Sequence, residues 1–171
     1  MRAEREELKA EIKTAFGSVV FPSHQGLRGS MAMDSYATDA EVKSITEDQD
    51  IHGEWWQVPQ NELRHCVLAL SYLDAGGVSF YLPAYLDMAL DNVGKGRLWV
   101  LDLIDTAIGD DDPEHRAYLV GRLSGLNDVQ RKVCVRTLQF LRAQLIDDRS
   151  GEYERRRVDR ILNDSYWHVY L

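Results

Sequence analysis

The chain has 171 residues, 44% hydrophobic and 28% charged, which suffices for one domain burying roughly 70% of its unfolded surface and excludes wholesale disorder. Its 20 Lys and Arg stand against 28 Asp and Glu, and the net charge of -8 repels a phosphate backbone. Nucleic acid is therefore excluded as a partner and a basic protein partner is favoured, although acidity also serves solubility.

Residues Ala3 to Phe16 place Leu8, Ile12, Ala15 and Phe16 on one helical face, with acids early and lysines late. Gly17 ends that helix. Pro22, Gly26 and Gly29 punctuate residues 18–37, which read as a long loop with His24, Gln25, Arg28 and Ser30 as surface candidates. A short helix is expected from Thr38 or Asp39 to Ile45, with Val42 and Ile45 inward. The polar link TEDQDIHGEWW follows. Its Trp55 and Trp56 make a binding platform if exposed, whereas the plainer expectation seals the core edge with one and leaves the other half exposed.

Pro59 suits the first position of a helix whose buried stripe is Leu63, Cys66, Val67, Leu70 and Leu73. Asp74 then caps the densest apolar segment, where Val78, Tyr81, Leu82, Tyr85, Leu86, Ala89 and Leu90 recur at helical offsets. Within it Pro83 cannot donate to the Ser79 carbonyl. A kink is expected there, with Ser79 accommodating the fault; the alternative is two short helices meeting at Leu82. The candidate binding residues are Trp55, Trp56, Ser79, Tyr81, Pro83 and Tyr85.

The segment RLWVLDLIDTAI, Arg97 to Ile108, suits a helix or a short buried strand, and helix is preferred because no second strand exists to pair with one. Asp110, Asp111 and Asp112 before Pro113 start a helix to about Ser124, burying Tyr118, Leu119 and Leu123 in part. Gly125 ends it. Asn127 caps a long helix to Ile146 or beyond, with Val129, Val133, Val135, Leu138, Leu141 and Leu145 inward, and Asp147 to Gly151 closes it. The last helix starts near Ser150 and carries Tyr153, Val158, Ile161 and Leu162; Trp167 and Tyr170 lie in a docking tail. The sum is an all-α chain: one compact domain over 1–171, a bundle of about six to eight helices with a Pro-kinked central helix.

Chemistry is thinly signalled. His24, His52, His65, His115 and His168 are scattered singly, so no metal and no cofactor are expected. GKGR at Gly94 to Arg97 lacks the spacing of a phosphate loop, and Cys66 and Cys134 have no neighbour that would activate a thiol. Asp102 and Asp105 can share a helix face, at a spacing frequent by chance. Arg155, Arg156, Arg157 and Arg160, interleaved with Glu152, Glu154 and Asp159, read as a solvated face that pairs its own charges. No catalytic residue is assigned. The start MRAEREELKAEIK is too charged for a secretory signal and no apolar run reaches the ~18 residues of a spanning helix, so cytoplasmic residence and no membrane partner are expected.

The segment ALSYLDAGGVSFYLPAYLDMAL, the upstream WQVP of Trp56 to Pro59 and the pair Ala15-Phe16 resemble a family of uncharacterised bacterial proteins described as a domain of unknown function. The likeness runs from Leu8 to Leu145 and is most specific at FYLPAYL, Phe80 to Leu86; Gly76 departs from the pattern. The resemblance implies a compact helical protein and brings no activity with it. The residues themselves favour a small acidic protein-binding protein, of the immunity or antitoxin type, that neutralises a basic partner. The alternative is a small enzyme or ligand-binding domain with a pocket beside the kinked helix.

Overall fold

The structure, a computed structural model, describes all residues except 1, 95–96, 108–111 and 147. Among the described residues every regular element is helical: α1 (Arg2–Ala15), α2 (Leu27–Met33), α3 (Asp39–Gln49), a 3₁₀ turn (Trp55–Gln57), α4 (Gln60–His65), a second 3₁₀ segment (Val67–Ser71), α5 (Ala75–Asn92), α6 (Leu101–Ile104), α7 (Pro113–Arg122), α8 (Asp128–Gln144), α9 (Arg149–Asn163) and α10 (Ser165–His168). The described helices outnumber the expected bundle because α2, α6 and α10 are short pieces of four to seven residues.

Helix α5 is the axis of the bundle. It packs against α1, α4, α7, α8 and the first 3₁₀ turn, and it is buried on nearly every side rather than along one stripe: Phe80, Pro83, Ala84 and Met88 are inside along with the predicted face. Asp74 caps it, its carboxylate accepting from the Gly77 amide at 2.8 Å. Pro83 lies inside one uninterrupted helix, so the two-helix alternative is overturned. Neighbouring elements hold the flanking turns in place, which compensates for the lost ladder bond. The Ser79 hydroxyl donates to the Ala75 carbonyl, one turn before the fault, at 2.7 Å. A side chain at Gly125 would collide with that hydroxyl, which is why the α7–α8 turn carries glycine there.

The caps come out as expected at three further starts. Thr38 and Glu41 make a reciprocal capping box on α3, Asn127 and Gln130 make another on α8, and Asp112 accepts from the Glu114 and His115 amides before Pro113. The acids Asp110 and Asp111, the Ile108 end of the predicted 97–108 helix, Lys95 and Gly96 of GKGR, and Asp147 lie outside the described residues.

Four expectations are corrected by side chains that reach partners far away in the sequence, backbone groups in three cases and carboxylates in the fourth. The 59–73 helix breaks at Cys66: the Tyr85 hydroxyl donates to the Leu63 carbonyl at 2.8 Å, and the buried Arg122 guanidinium donates to the Leu70 and Leu73 carbonyls, so α4 gives way to a 3₁₀ segment. The helix sought from Arg97 shrinks to Leu101–Ile104, because the Trp167 indole takes the Ile104 carbonyl at 2.9 Å and Arg116 takes that of Thr106 at 3.2 Å. The loop over 18–37 contains α2. Arg157 is buried rather than solvated, donating to Asp102 at 2.6 Å and to Glu154 at 3.4 Å, and Arg160 pairs with buried Asp105. Periodicity also overcounts the core: Tyr118, Val129 and Tyr153 are exposed, whereas Val133, Val135, Leu138, Val158, Ile161 and Trp167 are inside as expected.

Candidate functional site

The long segment after α1 folds because its helix is capped in trans. Asp50, just beyond α3, accepts from the Arg28 amide at 2.9 Å and the Gly29 amide at 3.3 Å, while Thr46 Oγ1 accepts from the Gly26 amide at 2.9 Å. Burial raises the Asp50 carboxyl above its ordinary value, and the amides that bond it offset only part of that. The two helices lie so close that a Cβ on Gly29 would collide with Thr46 Oγ1 and stand 2.7 Å from the Val42 carbonyl oxygen. Gly29→Ala is therefore expected to destabilise the protein by about 2 kcal/mol. A urea titration that matches the parent would show that α2 does not seat on α3 in this way.

Tyr36 follows α2 at φ +61°, a left-handed conformation unusual for a bulky residue, and its ring is 96% exposed. The Ala37 amide reaches back to the Ala32 carbonyl at 3.2 Å, closing the helix end. From here the surface turns acidic. Asp34, Asp39, Glu41, Glu47, Asp48, Asp50 and Glu54 stand against Lys43 alone, so residues 34–54 hold most of the chain's net charge of -8. All but Asp50 of these acids are exposed, and Lys43 is committed to Glu47 at 3.8 Å. The sequence carried this segregation in its order; a windowed charge count reveals it, and the total alone does not.

The residues singled out in the sequence separate into two places. Trp55 is buried, its indole donating to the Phe16 carbonyl at 3.1 Å, and Trp56 is 40% exposed beneath the Lys13 ammonium at 4.7 Å. Both border a groove of about 320 Å³ with Lys9, Lys13, Ala84 and Asp87. Lys9 bridges Asp87 at 3.2 Å and Asp91 at 2.9 Å, one cation shared between two carboxylates. Tyr81 and Pro83 are core, and the Tyr85 ring is buried with its hydroxyl on Leu63, so three of the four candidates on α5 serve packing. Ser79 is half-buried and committed to Ala75.

The loop candidates divide as well. His24 Nε2 lies 2.7 Å from Asp74, Gln25 donates to the Tyr72 carbonyl at 2.5 Å, and Arg28 pairs with Glu62, whereas Ser30 is buried rather than on the surface. Cys66 and Cys134 are free and buried, and burial pushes each thiol up to about 12. At that value neither forms a thiolate at neutral pH. Among the described residues no helix is long and apolar enough to cross a membrane, and no group of three or more His, Cys, Asp or Glu is placed to hold a metal ion.

No curated protein and no solved structure matches the chain. The model of a family of unknown function does match, over residues 4–171, which is wider than the resemblance from Leu8 to Leu145. The all-helical fold and that match, spanning α1 to the docked tail, place the chain in the family of unknown function DUF6714.

Proposed function

We propose that the protein is a small acidic binding protein of the bacterial cytoplasm that neutralises a basic protein partner, in the manner of an immunity protein or antitoxin. The observation that supports this reading is the exposed acidic face of residues 34–54, with one lysine among its acids. Such a face attracts a cationic surface at long range and speeds encounter. Tyr36 offers an exposed aromatic beside it, and aromatic side chains are enriched where interfaces concentrate their energy.

The test compares the parent with a Glu47→Lys, Asp48→Lys variant as bait in the producing bacterium, and Glu41 is kept because it caps α3. These acids are solvent-exposed, so the variant is expected to fold as the parent does. The parent should retain a basic protein that the variant and a high-salt wash both release. Equal capture by parent and variant would sink the reading.

A further inference from the structure

A second groove, of about 380 Å³, lies between the second 3₁₀ segment, α6 and α7. That volume is in the range of small-molecule sites, roughly 300–1,000 Å³. Its walls are apolar and aromatic: Leu68 is 57% exposed, Tyr118 is 51% exposed, and Val67, Trp99 and Leu119 are half-buried. Two large apolar residues left open on one concave surface are what a ligand or a partner covers.

The groove is lined by two arginines and two aspartates, and three of these four have an oppositely charged partner. Arg97 is neutralised by Asp102 at 2.8 Å, and Asp105 by Arg160. Among the described residues Asp105 Oδ1 has no hydrogen bond, and its side chain is closed to solvent with Arg160 on the other oxygen. Arg122 differs. It is only 6% exposed, and its Nε and Nη2 donate to the Leu73 and Leu70 carbonyls. Among the described residues Nη1 has no hydrogen bond and the guanidinium has no carboxylate; the Tyr118 ring lies 5.8 Å from its centre. A nearly buried cation with carbonyls on one edge and an open donor on the other is incomplete, and a planar carboxylate matches the geometry it leaves.

We propose that the groove binds a small apolar carboxylate, its headgroup on the Arg122 guanidinium and its body against Leu68, Trp99 and Tyr118. This site is independent of the acidic face and of any protein partner.

Octanoate and its neutral counterpart octanamide are the probes, titrated into the full ¹⁵N-labelled chain. Octanoate should shift the Trp99 indole and the Leu68, Ser71 and Leu119 amides saturably, and octanamide should bind at least about tenfold more weakly. Arg122→Gln should remove that preference. Because this substitution is buried, Leu68→Asp on the exposed rim is the companion variant, expected to keep the parent's melting temperature and lose at least about tenfold in octanoate affinity. Val129→Asp, equally exposed on α8 and absent from the groove lining, should leave affinity unchanged. The proposal is overturned if octanoate does not bind, if octanamide binds equally well, or if Leu68→Asp binds octanoate as the parent does.

Discussion

Replacing Trp167 with alanine is expected to lower the unfolding free energy by about 4 kcal/mol, the cost of removing a large aromatic from a closed core. Trp167 is among the largest fully buried side chains, and it sits on α10, a helix of four residues. A helix so short has no stability of its own, so the docked ring holds the tail. Its indole donates to the Ile104 carbonyl at 2.9 Å, and the Tyr166 ring meets it edge to face at 4.9 Å. Alanine therefore leaves a cavity and deprives the Ile104 carbonyl, at the end of α6, of its indole donor. Trp167→Phe separates the two contributions: it keeps most of the volume, loses the hydrogen bond, and should cost about 1–2 kcal/mol. Urea unfolding of the pair is the measurement. A loss below about 1 kcal/mol in the alanine variant would mean that the tail is not part of the core.

Arg157→Met should cost about 3 kcal/mol, because it strips the cation from two carboxylates and leaves Glu154 buried without it. Arg157 and Glu154 are both buried, and Arg157 spans to Asp102 at 2.6 Å. Burial already raises the Glu154 carboxyl above 4.5, and Arg157 is the largest influence holding it down. Without Arg157 the folded-state value rises further above the unfolded one. The folded variant then binds a proton that the unfolded chain releases. Its stability is fully present below the unfolded value and is lost as pH rises through the raised folded value. The deficit against the parent should thus be largest at neutral pH and shrink on acidification. Adding Glu154→Leu to Arg157→Met should recover part of the loss, since a buried pair replaced by apolar side chains is often tolerated. A deficit independent of pH would assign the effect to packing of the arginine stem instead.

Where a signal was local, it was legible. Asp74, Thr38, Asn127 and Asp112 were readable as caps because a cap bonds an amide two or three residues on. Helix α5 was readable from its apolar density. Residues 18–37 carry the local signature of a loop although they contain α2, because α2 takes its N-terminal partners from Thr46 and Asp50, some twenty residues away, and seats on α3 through Gly29, which a sequence presents as a loop signal. The arginine run in α9 looked solvated because the acids at helical spacing were visible and Asp102, 55 residues away, was not known to be near. The acidic face was present in the sequence as a run of acids between residues 34 and 54. The carboxylate groove was not, since Leu68, Trp99, Tyr118 and Arg122 come from separate elements.

The sequence by itself determined that the chain is all-α, which helix forms its apolar axis, where most long helices begin, and that the surface is acidic; each rests on side-chain periodicity or on partners within a turn. Tertiary structure alone decided where α4 and α6 stop and which charges are buried. Arg122 on the Leu70 and Leu73 carbonyls, Trp167 on the Ile104 carbonyl and Asp50 on the Arg28 amide act across separations of 52, 49, 63 and 22 residues. A backbone group captured in this way leaves the local ladder, and no residue beside it in the chain records the loss.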